Sequence, residues 1–184
     1  MKKTIEVSQQ DKEHLEIIRN SVSSFIKTCA ENYDNEQHIL LDVAPQDHKG
    51  AKEFFNKITI KTLDIDPDSS ADYIMDLCAN NSDKISDDYF DFVLCTEVLE
   101  HTLNPFAAVQ EIYRLLRPGG LALITVPFNF RIHGPLPDCW RFTEHGLRVL
   151  FDEKLFEISS LEEIVSKKRD LMPIHYKLIA KKLN

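Results

Sequence analysis

The sequence predicts an α/β fold built on a mainly parallel central sheet with helices on both faces. Three observations carry this. Short, largely apolar runs such as "HILLDVA", "FDFVLCTEV" and "LALITVPF" are too brief for helices and match strands buried on both faces. Amphipathic stretches with three-to-four spacing fall between them. Helices interleaved with such strands are the pattern of a sheet covered on both sides.

The elements follow in order. Residues 11–33 place Leu15, Ile18, Val22, Phe25, Ile26 and Cys29 on one helical face. "HILLDVA" is the first strand and "GAKEFFNK" a short helix. "ITIKTLDID" alternates and is β-branched, so it reads as a strand ending at Asp64 or Asp66. "PDSS" is a turn, "ADYIMDL" a weaker third strand, and "NNSDKISDDY" a polar loop. "FDFVLCTEV" is the fourth strand. "NPFAAVQEIYRLLR" is a helix that "PGG" stops. "LALITVPF" is the fifth strand, and "NFRIHGPLPDCWRF" is aperiodic. "TEHGLRVLF" is a helix with a threonine N-cap. "LFEISSLEEIV" and "IHYKLIAKKL" close the chain as two strands.

Composition narrows the function. A chain of 184 residues suits one domain, with residues 1–37 a helical extension and 38–184 the core. A net charge of −8 argues against a nucleic-acid surface. Cys29, Cys78, Cys95 and Cys139 form no C-x-x-C pair and no zinc spacing, so reduced thiols in a cytoplasmic protein are expected and no metal ligands. The N-terminus lacks the apolar run of a signal peptide, and no stretch of 18 apolar residues would span a membrane.

In parallel sheets of this kind ligands bind at the carboxyl ends of the strands. Asp42 lies at the end of the first strand. Asp64, at the end of the second, stands about 20 residues on, the interval at which a carboxylate accepts from ribose hydroxyls. Asp64 and Asp66 could equally cap the turn before Pro67. The third strand ends at Asp76 and Leu77, suited to an adenine amine and ring, or to nothing but solvent. The fourth delivers Glu97, Glu100 and His101, and the fifth crowds His133, Asp138, Trp140 and Arg141 into one loop.

The segment "FDFVLCTEVLEHTLNPFAAVQEIYRLLRPGGLALITVPF" resembles the fourth strand, following helix and fifth strand of class I S-adenosylmethionine-dependent methyltransferases, the methyltransferase type 11 group. With "LLDV" and "TLDIDP" upstream, the resemblance covers roughly residues 38–150. "IHGPLPDCWRFTEHGLRVLF" is similar to the "H…DYWRFTPEGL" segment of a bacterial subgroup associated with surface-polysaccharide and nucleotide-sugar gene clusters, with Cys139 in place of its tyrosine. The resemblance implies a Rossmann-like class I methyltransferase fold with an antiparallel closing strand, and S-adenosyl-L-methionine as cofactor. It implies that Asp42 heads the first motif, that Asp64 (with Ile65 beside it) holds the ribose, and that Asp76 and Leu77 meet the adenine. Cys95 and Thr96 would line the cleft through their backbone.

The family's first motif is typically Asp-x-Gly-x-Gly-x-Gly. Here it reads Asp42-Val43-Ala44-Pro45-Gln46-Asp47-His48. Ala44 is the smallest replacement for the first glycine, and Gln46 offers a side chain to the cofactor's carboxylate or ammonium. Pro45 restricts Ala44, so the loop is expected to take a different path. The expected activity is methyl transfer to a small-molecule acceptor, an O-methylation of a sugar, sugar phosphate or related glycan precursor. His133 is the first choice of general base and His101 the second. Asp138 accompanies them, and Arg141 is a clamp for an acceptor anion or the partner of a nearby aspartate. The other expectation is a methyltransferase-like scaffold that has lost its cofactor. The N-terminal helix is expected to cover the cleft or to form a homodimer face.

Overall fold

The computed structural model describes residues 7–45, 49–166, 169 and 171–184. Helix α1 (Gln9–Tyr33) comes first, then strands β1 (Ile39–Val43), β2 (Thr59–Asp64), β3 (Tyr73–Ile74) and β4 (Phe90–Thr96). Helix α2 (Pro105–Leu115), strand β5 (Leu116–Pro127), helix α3 (Glu144–Leu150) and strands β6 (Phe156–Val165) and β7 (Pro173–Lys182) follow. The seven strands form one sheet in the order β3-β2-β1-β4-β5-β7-β6. β1 to β5 pair in parallel, and β7 runs antiparallel to both its neighbours. This is the expected sheet, antiparallel closing strand included.

Side chains alternate across the sheet and build two cores. Leu40, Phe92, Leu94 and Leu123 face α1, where Phe25, Ile26, Cys29 and Ala30 cover them. Leu41, Val43, Val93, Cys95, Ala122 and Ile124 face the other way, onto Ala108, Val109, Ile112, Leu147 and Leu150 of α2 and α3. Burying Phe25 and Ile26 contributes roughly 1.5–3 kcal/mol each. The apolar stripe of α1 is therefore packed onto its own sheet. Ser8 and Asp11 cap its start reciprocally, and Asn104 caps α2 with Pro105 in the first turn.

Three elements differ from expectation. The helix after β1 is a single 3₁₀ turn at Gly50–Glu53, and β3 shrinks to two residues, so Asp76 lies beyond it. "PGG" does not separate α2 from β5, because the strand begins at Leu116 as soon as the helix ends. Gly119, at φ +81, and a register shift opposite Phe90 and Phe92 absorb the irregularity.

Candidate functional site

β1 and β4 pair as far as Val43 and Cys95, and beyond these residues the two strands part. This is the point where the connections turn to opposite sides of the sheet, the place such folds leave for a ligand. The chain bends sharply here on both sides. Ala44 follows β1 at φ +50, and Glu97 follows β4 at φ +55. Ala44 thus adopts the left-handed conformation that glycine accepts without strain. Pro45 was expected to steer it elsewhere. What holds it is a 2.7 Å bond from its N–H to the Leu63 carbonyl, which pins the turn to β2.

Asp42 does not reach the opening. It is buried beneath the 3₁₀ turn and its Oδ2 accepts the Ala51 N–H at 2.7 Å. Burial pushes its carboxyl up to about 6. Gly50 makes this approach possible: it sits at φ +54, and a Cβ there would stand 2.3 Å from Asp42 Oδ2. Gly50 lies beyond the first motif, whose three glycine positions are Ala44, Gln46 and His48. Gln46 lies outside the described residues.

Asp64 ends β2 and is buried, with Oδ1 accepting the Asp66 N–H at 2.9 Å. The turn cap and the ligand role are therefore compatible: one oxygen closes the turn, and no other group among the described residues donates to Oδ2. Ile65 projects beside it, 65% exposed. Leu77, expected at the adenine, is instead a core residue, and Asp76 is an exposed cap on Cys78 N–H. Cys95 is sealed inside the sheet, paired with Val43 on one side and Ile124 on the other, and burial pushes its thiol up. Thr96 pairs with Thr125 of β5 only, so its other edge faces the opening.

The second group of residues converges past β4 and β5. His101 closes a 3₁₀ turn at Leu99–His101, and His133 lies in the loop after β5. Their rings meet edge to face, 4.8 Å between centroids. The loop is tied down by its backbone: Cys139 and Trp140 donate N–H bonds of 2.7 and 3.1 Å to the Glu100 carbonyl. Asp138, its side chain fully buried, accepts the His133 N–H at 2.9 Å and a bidentate pair from Arg141. That pair holds Asp138 well below the usual carboxylate range. Arg141 also donates to the carbonyls of Phe130, Arg131 and Trp140. Its guanidinium is occupied, so of the two expectations the ion pair with a nearby aspartate is the one formed. Burial pulls His133 below its usual range despite Asp138.

Glu100 lies at the centre of this group. The sequence places it at the strand end without giving it a role. It is fully buried, and among the described residues neither carboxylate oxygen has a hydrogen-bond partner. Burial, then the neighbouring Glu97, raises its carboxyl well above the usual range. Its Oε1 stands 3.7 Å from His101 Nε2 and 3.8 Å from His133 Nε2. Adjacency to His101 was the one signal in the sequence; burial is not visible there. Behind it, Glu97 Oε1 meets His175 Nε2 at 2.6 Å and the Thr125 hydroxyl at 2.8 Å, and His175 Nδ1 meets Ser21 of α1 at 2.9 Å.

A methyltransferase-domain family profile matches residues 14–175, nearly the whole chain. Among curated proteins, none matches this sequence. Several solved structures share the fold. A SAM-dependent methyltransferase from Methanosarcina mazei superimposes with a TM-score of 0.61 at 18% identity, covering 83% of this chain and 96% of its own. A chain from the complex between the Haloferax volcanii Trm112 methyltransferase activator and its methyltransferase gives 0.70 at 14% identity, covering 95% and 93%. The [4+2]-cyclase SpnF gives 0.69 at 15% identity, covering 89% and 81%. At such identities the likeness carries the fold alone, and the cyclase shows that this fold hosts other chemistry.

Proposed function

The chain belongs to the methyltransferase-domain family, and from that premise we propose that it is an S-adenosyl-L-methionine-dependent methyltransferase acting on a hydroxyl of a small-molecule acceptor. The observation that carries the acceptor chemistry is the convergence of Glu100, His101 and His133 beside the opening of the sheet. The residues at the opening suit the cofactor. Asp64 has an oxygen to offer the ribose hydroxyls, Ile65 offers an exposed apolar face, and the turns at Ala44 and Glu97 bring backbone close on either side. When bound, S-adenosylmethionine supplies a sulfonium methyl group.

The chain's own part is alignment and proton management. His133 Nε2 faces the gap before Glu100 and is placed to take a hydroxyl proton. A neutral imidazole, the form that burial favours in His133, is the form that can accept it. Arg141 acts at one remove, fixing Asp138 and through it the loop that carries His133. A sugar or related glycan precursor is the acceptor class we favour, because Trp140 is 40% exposed while its indole N–H is anchored on the Thr102 carbonyl at 2.8 Å. A held, half-open aromatic face suits the apolar face of a sugar ring. No anion clamp is assigned to Arg141.

The scaffold reading rested on the missing glycines. At the first of the three positions Ala44 keeps a glycine-like conformation, which supports the cofactor reading there. Calorimetric titration with S-adenosylhomocysteine tests the proposal. One site per chain is expected, and no binding at millimolar ligand overturns it.

A further inference from the structure

We infer that Glu100, His101 and His133 form a binding site for one divalent cation of the first transition row, Mn²⁺ through Zn²⁺. The three ligand atoms, Glu100 Oε1 and the Nε2 atoms of both histidines, lie within 4.8 Å of one another. Donors around a four-coordinate ion with bonds of about 2.1 Å stand about 3.4 Å apart. The two carboxylate–imidazole separations of 3.7 and 3.8 Å need a few tenths of an ångström of contraction, and the two imidazole nitrogens, within 4.8 Å of each other, must close further by side-chain rotation.

The protein alone satisfies Glu100 in neither protonation state. Ionised, it is a fully buried carboxylate with no donor among the described residues at either oxygen, an arrangement that is costly unless a cation compensates it. Protonated, it would need an acceptor within hydrogen-bond reach, and the nearest imidazole nitrogens, at 3.7 and 3.8 Å, are too far. An ion in the gap would meet all three groups at once.

The histidines are also oriented as ligands. His101 Nδ1 lies 2.9 Å from the Pro137 carbonyl, a bond that places its proton on Nδ1 and leaves the Nε2 lone pair free. His133 Nδ1 lies 3.1 Å from Asp138 Oδ2, close though out of hydrogen-bonding alignment. Imidazoles backed by a carbonyl or carboxylate are the usual arrangement around a bound metal. Two nitrogens and one carboxylate oxygen select transition ions over Mg²⁺ or Ca²⁺, and three protein ligands leave a position open. The histidine side chains remain 15% and 23% exposed, so that position has an outlet.

The geometry stands without the methyl-transfer reading, but the catalytic meaning rests on it. An acceptor hydroxyl in the open position would be acidified by the ion, its proton leaving to water. With the ion bound, the ion takes over the role given above to His133: it lowers the pKa of the hydroxyl, and His133 Nε2 is a ligand.

The test is titration of chelator-stripped protein with Co²⁺, followed by its visible absorption, and with Zn²⁺ by calorimetry. One ion per chain is expected. Glu100→Gln and His101→Gln should each weaken binding more than about 100-fold, beyond the roughly 10–100-fold effect of losing an outer partner. Circular dichroism confirms that each variant is folded. A variant that unfolds is replaced by His133→Gln, and the Co²⁺ spectrum of wild type must in any case show nitrogen ligation. Wild type that binds no ion, or binds it as tightly after Glu100→Gln, overturns the site. S-adenosylhomocysteine titrated into the same samples separates the two ideas. Cofactor binding without ion binding overturns the ion alone, and ion binding without cofactor binding overturns the methyltransferase reading alone.

Discussion

Gly50 and Asp42 are packed so closely that a Cβ on Gly50 would stand 2.3 Å from the Asp42 carboxylate. This contact, with the Ala51 N–H bond beside it, closes the turn after β1. Gly50→Ala meets both a left-handed φ and a clash, and is expected to cost roughly 2–3 kcal/mol in urea unfolding. Adding Asp42→Ala should recover only the part due to the carboxylate clash, because the strain, the 3.1 Å approach to Pro45 Cβ and the loss of the Ala51 acceptor remain. A Gly50→Ala protein within 0.5 kcal/mol of wild type (roughly the scatter of a neutral substitution) would contradict the packing.

Asp42 also makes stability depend on pH. Its carboxyl is raised to about 6 in the folded chain from an ordinary 3.8. The folded state therefore binds its proton more tightly than the unfolded one. Its contribution is fully present below pH 4 and is lost as pH rises through about 6. Asp42→Asn keeps an acceptor for Ala51 and cannot ionise. It should match wild type in acid and exceed it by up to ~3 kcal/mol at pH 8. Urea midpoints at the two pH values check this, and an advantage confined to acid would reverse the sign.

Asp64→Asn separates the two duties of that residue. Its amide oxygen can still accept the Asp66 N–H, so the melting temperature should hold. The charged acceptor for the ribose is gone, and S-adenosylhomocysteine affinity should fall by roughly 1.5–3 kcal/mol. Equal affinity by calorimetry would remove Asp64 from the ligand site.

Ala44→Gly relieves a left-handed alanine at φ +50. It should raise stability by about 1 kcal/mol, partly offset by the greater freedom of glycine in the unfolded chain. Cofactor affinity should be kept. A loss of stability in thermal melts would show that the Ala44 methyl matters more for packing than its φ does for strain.

Arg141→Lys keeps the charge but loses the fork that holds Asp138 from two sides. It should destabilise the chain by roughly 1–3 kcal/mol. Cofactor affinity should stay unchanged, since the bonds Arg141 makes among the described residues all fall within its own loop. A stable variant with weakened cofactor binding would move Arg141 from brace to ligand contact.

The sequence by itself determined the sheet. Runs such as Ile39–Val43 and Phe90–Thr96 are apolar because both faces are covered, and burial on both faces leaves a mark in composition that needs no partner to be read. It also located Asp64, because a residue at a strand end is placed by the strand alone. Tertiary structure decided the rest. β3 kept only Tyr73 and Ile74, since an edge strand is as long as its one neighbour's pairing allows. Leu77 went to the core and Arg141 to Asp138, choices made by packing distance and not by residue type. Glu100 is the clearest case. In sequence it is one acid among many in a chain with thirty. It became a buried, unpartnered carboxylate only when the loop carrying Cys139 and Trp140 closed over it and brought His133 to within 3.8 Å. Desolvation and convergence are properties of three-dimensional neighbours, and His133, Cys139 and Trp140 lie more than thirty residues from Glu100 along the chain.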